Sequence, residues 1–238
     1  GENWYIVCSY ILGYEVFSEP FFPGLITEFI HDIFGDNSAI ATYNFDGDAT
    51  DLSGNYNGTL GTSTTFGTGI FAQSVVTDGT DSGSVTGLFN DNIQNSAYSI
   101  WIATNNQLTY GDCAFNTFII NNSDQVEVFD NSNGQGSSKL YNSLSNEYPQ
   151  DSTFFHLVVS LSSNVPTVYI NGVNVGVSQN GTNSRGSQIG GNTTTGGALG
   201  KVFSGGSYFS SSKYDQLRIF NRALTQAEVN ILYEEGQG

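Results

Sequence analysis

From Ser38 to about Phe220 the chain is punctuated too often for helices: short apolar or alternating runs are cut apart by clusters of Gly, Asn, Asp and Ser. Strands accommodate that spacing and helices do not, because Ser, Asn and Asp compete for backbone hydrogen bonds and Gly raises the entropic cost of ordering. The runs predict strands at Ile40–Phe45, Phe71–Thr77, Gly83–Val85, Tyr98–Ala103, Ala114–Asn121, Gln125–Asp130, Phe154–Leu161, Thr167–Ile170, Val173–Val177, Gln188–Gly190 and Tyr214–Phe220. Asn171-Gly172 between two of them supplies the positive φ angles of a tight hairpin turn. Many short strands with no convincing internal repeat read as an all-β fold, a two-sheet antiparallel jelly-roll sandwich.

The two ends depart from this pattern. Thr225 and Glu228 have capping-box spacing ahead of Val229, Ile231, Leu232 and Tyr233, which predicts a short C-terminal helix. Residues 1–37 form an apolar arm, set apart from a domain at 38–238. Tyr5 to Leu12 would make a strand apolar on both faces, Phe17, Phe21 and Phe22 surround Pro20 and Pro23, and Leu25 to Phe34 recur at helical spacing as a short amphipathic helix. Such an arm either packs on its own domain or docks into a neighbouring subunit, with Trp4, Tyr5, Ile11, Phe17, Phe21, Phe22 and Phe29 as its contact residues. Trp4 to Leu12 is not read as a signal peptide, since Glu2 precedes it and no Lys or Arg occurs before Lys139.

Charge narrows the partners. Twenty-two acidic residues face six basic ones, for a net charge of −16, which is the wrong sign for a phosphate backbone or anionic lipid. No apolar stretch reaches the roughly 18 to 20 residues of a membrane span, so neither nucleic acid nor membrane insertion is expected. Two cysteines, Cys8 and Cys113, lack metal-ligand spacing and are read as thiols or as one bridge.

Catalytic patterns are missing. Glycoside hydrolysis needs two carboxylates flanking the scissile bond, yet Glu127 and Asp130 are three apart, on opposite faces of a regular strand, and Glu147 precedes Pro149 in a loop. His156 has no nucleophile motif to serve and is expected to pack or hydrogen-bond inside the sandwich, as Trp101 is expected in the core. The chain is therefore read as no enzyme. Asp46, Asp48 and Asp51, with Asn55 nearby, place hard oxygen donors in one Gly-containing loop, suiting Ca²⁺ or simple turn capping; Asp78-Gly79-Thr80-Asp81 is a second acidic loop. A glycan would need an aromatic platform beside polar groups, for which Tyr110, Tyr141, Tyr148, Tyr208 and Phe209 are candidates in polar or Gly/Ser-rich contexts.

Four segments in order resemble the laminin G-like branch of the concanavalin A-like lectin and glucanase superfamily: Ala41 to Gly58, Tyr98-Ser-Ile-Trp-Ile102, Phe155-His156 with Val168 to Gly176, and Tyr214-Asp-Gln-Leu-Arg-Ile-Phe-Asn-Arg-Ala-Leu-Thr225. The resemblance implies a concanavalin A-like jelly roll, and a structural calcium that joins the opening segment to the last long strand, with Asp46 and Asp215 as first choices. Asp32-Ile-Phe-Gly-Asp36 looks like laminin G-like domains of tailed-phage virion proteins. The expectation is a non-catalytic structural or adhesive protein on a virion surface, a phage capsid decoration, fibre or tail component with a lectin-like glycan-binding head. Its arm would join it to copies of itself or to other structural subunits. The alternatives are an extracellular filament or adhesin subunit joined by strand donation, and the carbohydrate-binding module of a polysaccharide-degrading enzyme.

Overall fold

Two long strands at the centre of one sheet are buried at nearly every position. In Ser96–Thr104 (β6) the residues Tyr98, Ile100 and Ile102 join the main core, while Ala97, Ser99 and Trp101 alternate with them and are equally buried. Phe154–Ser162 (β11) repeats the pattern, with Phe155, Leu157, Val159 and Leu161 in the core and His156, Val158 and Ser160 alternating. The strands pair antiparallel with Phe155 opposite Ile102 and His156 opposite Trp101. A sheet hydrophobic on both faces must be covered on both. A second sheet covers one face and a helix covers the other.

The computed structural model describes residues 30–80, 83–85, 95–104, 113–115, 118–120, 126–130, 138–143, 148–149, 151–163, 165–183, 198–199 and 211–237. His31–Gly238 is one compact unit and Gly1–Ile30 another. The strands in chain order are β1 Ala39–Tyr43, β2 Gly58–Thr59, β3 Thr65–Thr68, β4 Gln73–Val76, β5 Gly83–Val85, β6, β7 Cys113–Phe115, β8 Phe118–Ile120, β9 Val126–Asp130, β10 Ser138–Ser143, β11, β12 Val165–Ile170, β13 Val173–Asn174, β14 Val177–Asn183, β15 Ala198–Leu199 and β16 Ser212–Phe220. Among the described residues they form two antiparallel sheets, β13-β12-β11-β6-β16-β4-β3 with β1 also on β16, and β14-β10-β9-β8-β7-β15-β5-β2. This is the all-β sandwich the sequence predicts.

Differences from the sequence reading are local. Ala114–Asn121 is not one strand: β7 and β8 fold back on each other, Ala114 opposite Ile119. The Asn171-Gly172 hairpin forms, with φ of 50° and 79° at the two residues. Its second strand stops at Asn174, and after Gly176 at φ 69° the chain continues as β14 in the other sheet. Strands β2, β3, β10 and β15, and β14 beyond Val177, are not among the predicted ones, and Gln188–Gly190 lies outside the described residues.

Helix α1, Gln226–Glu235, has the predicted capping box, Thr225 accepting from the Glu228 backbone N–H and Glu228 from that of Thr225. Its Val229 and Leu232 pack with Ala97, Val158, Tyr169, Phe220 and Leu224 on the outer face of the β6/β11 sheet. The helical expectation for Leu25–Phe34 fails over its described end, where His31–Phe34 is a turn; the rest lies outside the described residues. Residues 31–37, counted with the arm from the sequence, pack with the sandwich. Phe34 packs on Phe220 with the rings tilted and their centroids 5.5 Å apart, and Asp36 accepts from Arg222 Nε at 2.9 Å and Nη2 at 2.6 Å. Arg222 also reaches Glu228 at 2.6 Å and lies over the Phe34 ring, so one side chain ties the root of the arm to α1.

Candidate functional site

The turn after β3 and the first residue of β4, Gly69–Gln73, gather the two carboxylates that the family resemblance put first. Asp215 Oδ2, from β16, accepts the backbone N–H groups of Ile70 at 2.7 Å and Phe71 at 3.1 Å; Asp46 Oδ1, from the loop after β1, accepts that of Gln73 at 2.8 Å. Asp215 is fully buried, and its Oδ1 has no hydrogen-bond partner. Burial pushes its carboxyl up to about 7, against the pull of the Phe71 and Ile70 N–H groups, and the charge of Asp46 pushes the same way.

Backbone strain flanks both acids. Phe45, buried and directly before Asp46, has φ 60°; Gln216, directly after Asp215, has φ 47°. Neither residue type adopts the left-handed region readily, and each such conformation costs of order 1 to 3 kcal/mol. At Gln216 the strain coincides with a bulge: the register between β16 and β6 slips between Asp215 and Arg218. A bulge re-aims a side chain.

Gly69 completes the arrangement. A Cβ on it would lie 2.6 Å from the carbonyl oxygens of Phe71 and Gln73 and against Asp215 Oδ2, so only glycine leaves this oxygen-lined cradle open. An orphaned buried carboxylate oxygen, a second carboxylate and converging carbonyls form a hard-donor set that fits Ca²⁺ and offers nothing soft for a transition metal. Among the described residues no three His, Cys, Asp or Glu side chains gather for a metal, so backbone carbonyls would have to complete the shell.

The other acidic candidates lie apart from this cradle. Asp51 is buried with both oxygens engaged, accepting from the N–H groups of Thr42, Ser53, Asn55 and Tyr56 and from the Ser53 hydroxyl. It organises the 51–57 loop, which is the turn-capping reading of the sequence. Asp48 Oδ1 accepts the Thr50 N–H in an exposed turn, and Asp78 Oδ1 accepts from Thr80 and Ser63; Asp81 lies outside the described residues.

Of the aromatic candidates, Tyr148 is 4% exposed and stacks on Phe155 at 4.9 Å. This corrects its reading as a platform, because a ring closed in the core has no free face for a sugar. Tyr141 sits in β10 opposite Val128 of β9 and Gln179 of β14. Tyr110, Tyr208 and Phe209 lie outside the described residues, as do Trp4, Tyr5, Ile11, Phe17, Phe21, Phe22 and Phe29.

For His156 and Trp101 the structure bears out burial and shifts only its place. They are buried, but not between the sheets: they sit on the outer face beneath α1, with ring centroids 4.9 Å apart, and Tyr233 stacks on both. His156 Nε2 shares a 2.8 Å hydrogen bond with Ser99 Oγ. A serine paired with a histidine is the start of a nucleophilic site, yet both are at most 2% exposed, so no substrate atom reaches them. The capping box predicts the helix but nothing in the sequence marks the aromatic layer beneath it, nor the Arg218–Glu235 ion pair beside it.

The profile of the concanavalin A-like lectin/glucanases superfamily, in its Laminin_G_3 form, matches residues 76–230. The chain belongs to that superfamily. No curated protein matches it in sequence. Its fold is similar to domain 4 of AbnA, a GH43 extracellular arabinanase from Geobacillus stearothermophilus, solved in complex with arabinotriose: TM-score 0.57, 23% identity, 82% of this chain and 98% of that one. It is also similar to the binding domain of Paraclostridial Mosquitocidal Protein 1, with TM-score 0.61, 16% identity and 83% of this chain covered. A third likeness is to the botulinum neurotoxin serotype D ligand binding domain in complex with N-acetylneuraminic acid, with TM-score 0.59, 18% identity and 83% of this chain covered. The chain spans about half of each of these two toxin domains, 52% and 51% of their lengths. At such identities the likeness is one of fold.

Proposed function

We propose that this superfamily member is a non-catalytic, glycan-binding head displayed on an extracellular or virion surface, and that residues 1–30 join it to copies of itself or to other structural subunits. The observation that carries the first half is that two solved relatives sharing this fold hold a saccharide, arabinotriose in one and N-acetylneuraminic acid in the other. The strong negative charge favours neutral or cationic partners over nucleic acid, which suits an outward-facing binder of neutral glycans.

Within this reading Asp46, Asp215 and the Gly69 cradle hold a calcium ion that is structural. It would neutralise a buried carboxylate and pin the opening loop to the last long strand. Asp215 is too buried to meet a sugar, so the acid pair is not a glycosidase pair. A second setting, an accessory module of a polysaccharide-degrading enzyme, is favoured by one observation: the arabinanase domain is matched over 98% of its length.

A glycan array probed with the calcium-treated chain tests the proposal, with arabinan fragments and sialylated glycans included. Saturable binding to at least one glycan is expected, and hydrolysis of none. An array without any bound glycan overturns the binding role. Light scattering of the full chain against residues 31–238 tests the arm: loss of assembly with a folded head supports it, and equal masses refute it.

A further inference from the structure

We infer that the C-terminal turn of α1, Tyr233–Gly236, is an acid-released cover over the outer face of the β6/β11 sheet. The cover rests on His156. That ring is 1% exposed and lies among Trp101, Tyr233 and Ser99, while Gly236 is so close to Trp101 that a Cβ there would collide with the indole.

A proton added to this imidazole finds no counter-charge. From β6 it faces Ser99 and Trp101; from the hairpin turn, Asn171, whose Oδ1 takes the His156 backbone N–H at 2.9 Å. From β16 it faces Arg218, a second cation, which sits opposite Ser99 in the register. From α1 come Tyr233 and Glu235, and Glu235 is committed to Arg218 through both carboxylate oxygens. Asp215 is one strand further on, opposite Trp101. Nδ1 of His156 has no partner.

The tethers of α1 are unequal. Its first turn is held by the capping box, by Arg222 on Glu228, by Gln226 donating to the Gly172 carbonyl at 2.7 Å, and by the Leu224 N–H on Ser160 Oγ. Its last turn is held by the Tyr233 stack and the Glu235–Arg218 pair, the very groups that an imidazolium disturbs. Lifting that turn admits water to the ring at the smallest loss of structure. Burial and Arg218 hold His156 down to about 3 in the covered state, against 6.5 for a free imidazole. A depressed histidine works in one direction: the covered state loses stability as pH falls below the free value, and the loss ends at the depressed one.

Hydrogen exchange of the full chain measures the opening. With intrinsic rates divided out, protection of the amides in 233–236 should fall about tenfold per pH unit below about pH 6, one proton being coupled to opening. Protection in β6 and β11 should hold over the same range, and His156→Gln, which keeps a partner for Ser99 and cannot ionise there, should flatten the α1 profile. A flat α1 profile in the native chain overturns the inference whether or not the variant folds. So does a decline shared equally by β6 and β11, which would be global unfolding, and so does an unchanged slope in His156→Gln.

Discussion

Asp215→Asn should stabilise the cation-free protein, and by an amount that grows with pH. The carboxyl titrates near 7 in the fold and near 3.8 in a free chain, because folding strips it of water and leaves Oδ1 without a donor. A raised acid pKa means stability that is fully present below 3.8 and lost as pH rises to 7. The interval corresponds to on the order of 4 kcal/mol at pH 8, and to roughly 1.5 at pH 5, so the linkage predicts a change of about 2.5 between them. Asparagine keeps an oxygen for the Ile70 and Phe71 N–H groups and removes the ionisation. Urea unfolding in chelator at both pH values, native against Asp215→Asn, isolates this group because every other titration cancels in the difference. In calcium only the native chain gains from the ion, by about 2.7 kcal/mol at a hundredfold excess over Kd, so the gap at pH 8 should narrow by that amount. A difference that does not change with pH, or a variant less stable than native in chelator at pH 8, would refute the reasoning.

Other substitutions test the packing that holds the site. Arg222→Ala removes two ion pairs that are about one-third exposed and a cation–π contact, together worth about 2 kcal/mol, and should lower Tm by about 4 to 8 °C in a calorimetric scan. Removal through residue 37 deletes Phe34 and Asp36 and should lower Tm by at least as much as Arg222→Ala. Thr225→Ala should cost about 1 kcal/mol through the lost cap, measured by the same urea titration. Gly69→Ala should destabilise the native chain and abolish its response to calcium, since the new methyl would occupy the cradle. An unaltered calcium response in Gly69→Ala would mean that the ion binds elsewhere.

The strands most fully legible in the sequence include those buried on both faces. Tyr98 to Ile102 and Phe155 to Leu161 are legible because every residue meets either the second sheet or α1. Apart from Phe66 and Val177, Thr65–Thr68 and Val177–Asn183 are written in Thr, Gly, Ser, Gln and Asn, which look like loop, and become strands because β4 and β10 offer ladders to pair with. The apolar run at 114–121 hid a hairpin because Asn116-Thr117 is a weaker turn signal than Asn171-Gly172. The caps and turns were local and therefore visible: Thr225 and Glu228 bond across three positions.

The acidic loop was visible as composition, but composition could not divide its labour. Asp51 and Asp46 look alike in sequence; one is consumed by five local donors and the other reaches Gln73 across the fold. Asp215 entered only through family resemblance, and Gly69 entered through nothing, because a glycine's role in a close approach depends on what comes near it. The same holds for His156 and Trp101. Their apolar context announced burial correctly, and which side of the sheet they are buried on was decided by a helix that begins after residue 225.

Terbium luminescence gives the most direct test of the proposed calcium site at Asp215. Trp101 sits opposite Asp215 on the neighbouring strand, and in a Trp4→Phe background it is the sole tryptophan. Excitation at the red edge of its absorption should produce saturable terbium emission that calcium displaces and Asp215→Asn abolishes. Absence of sensitised emission, or equal emission from Asp215→Asn, would contradict the assignment of the site.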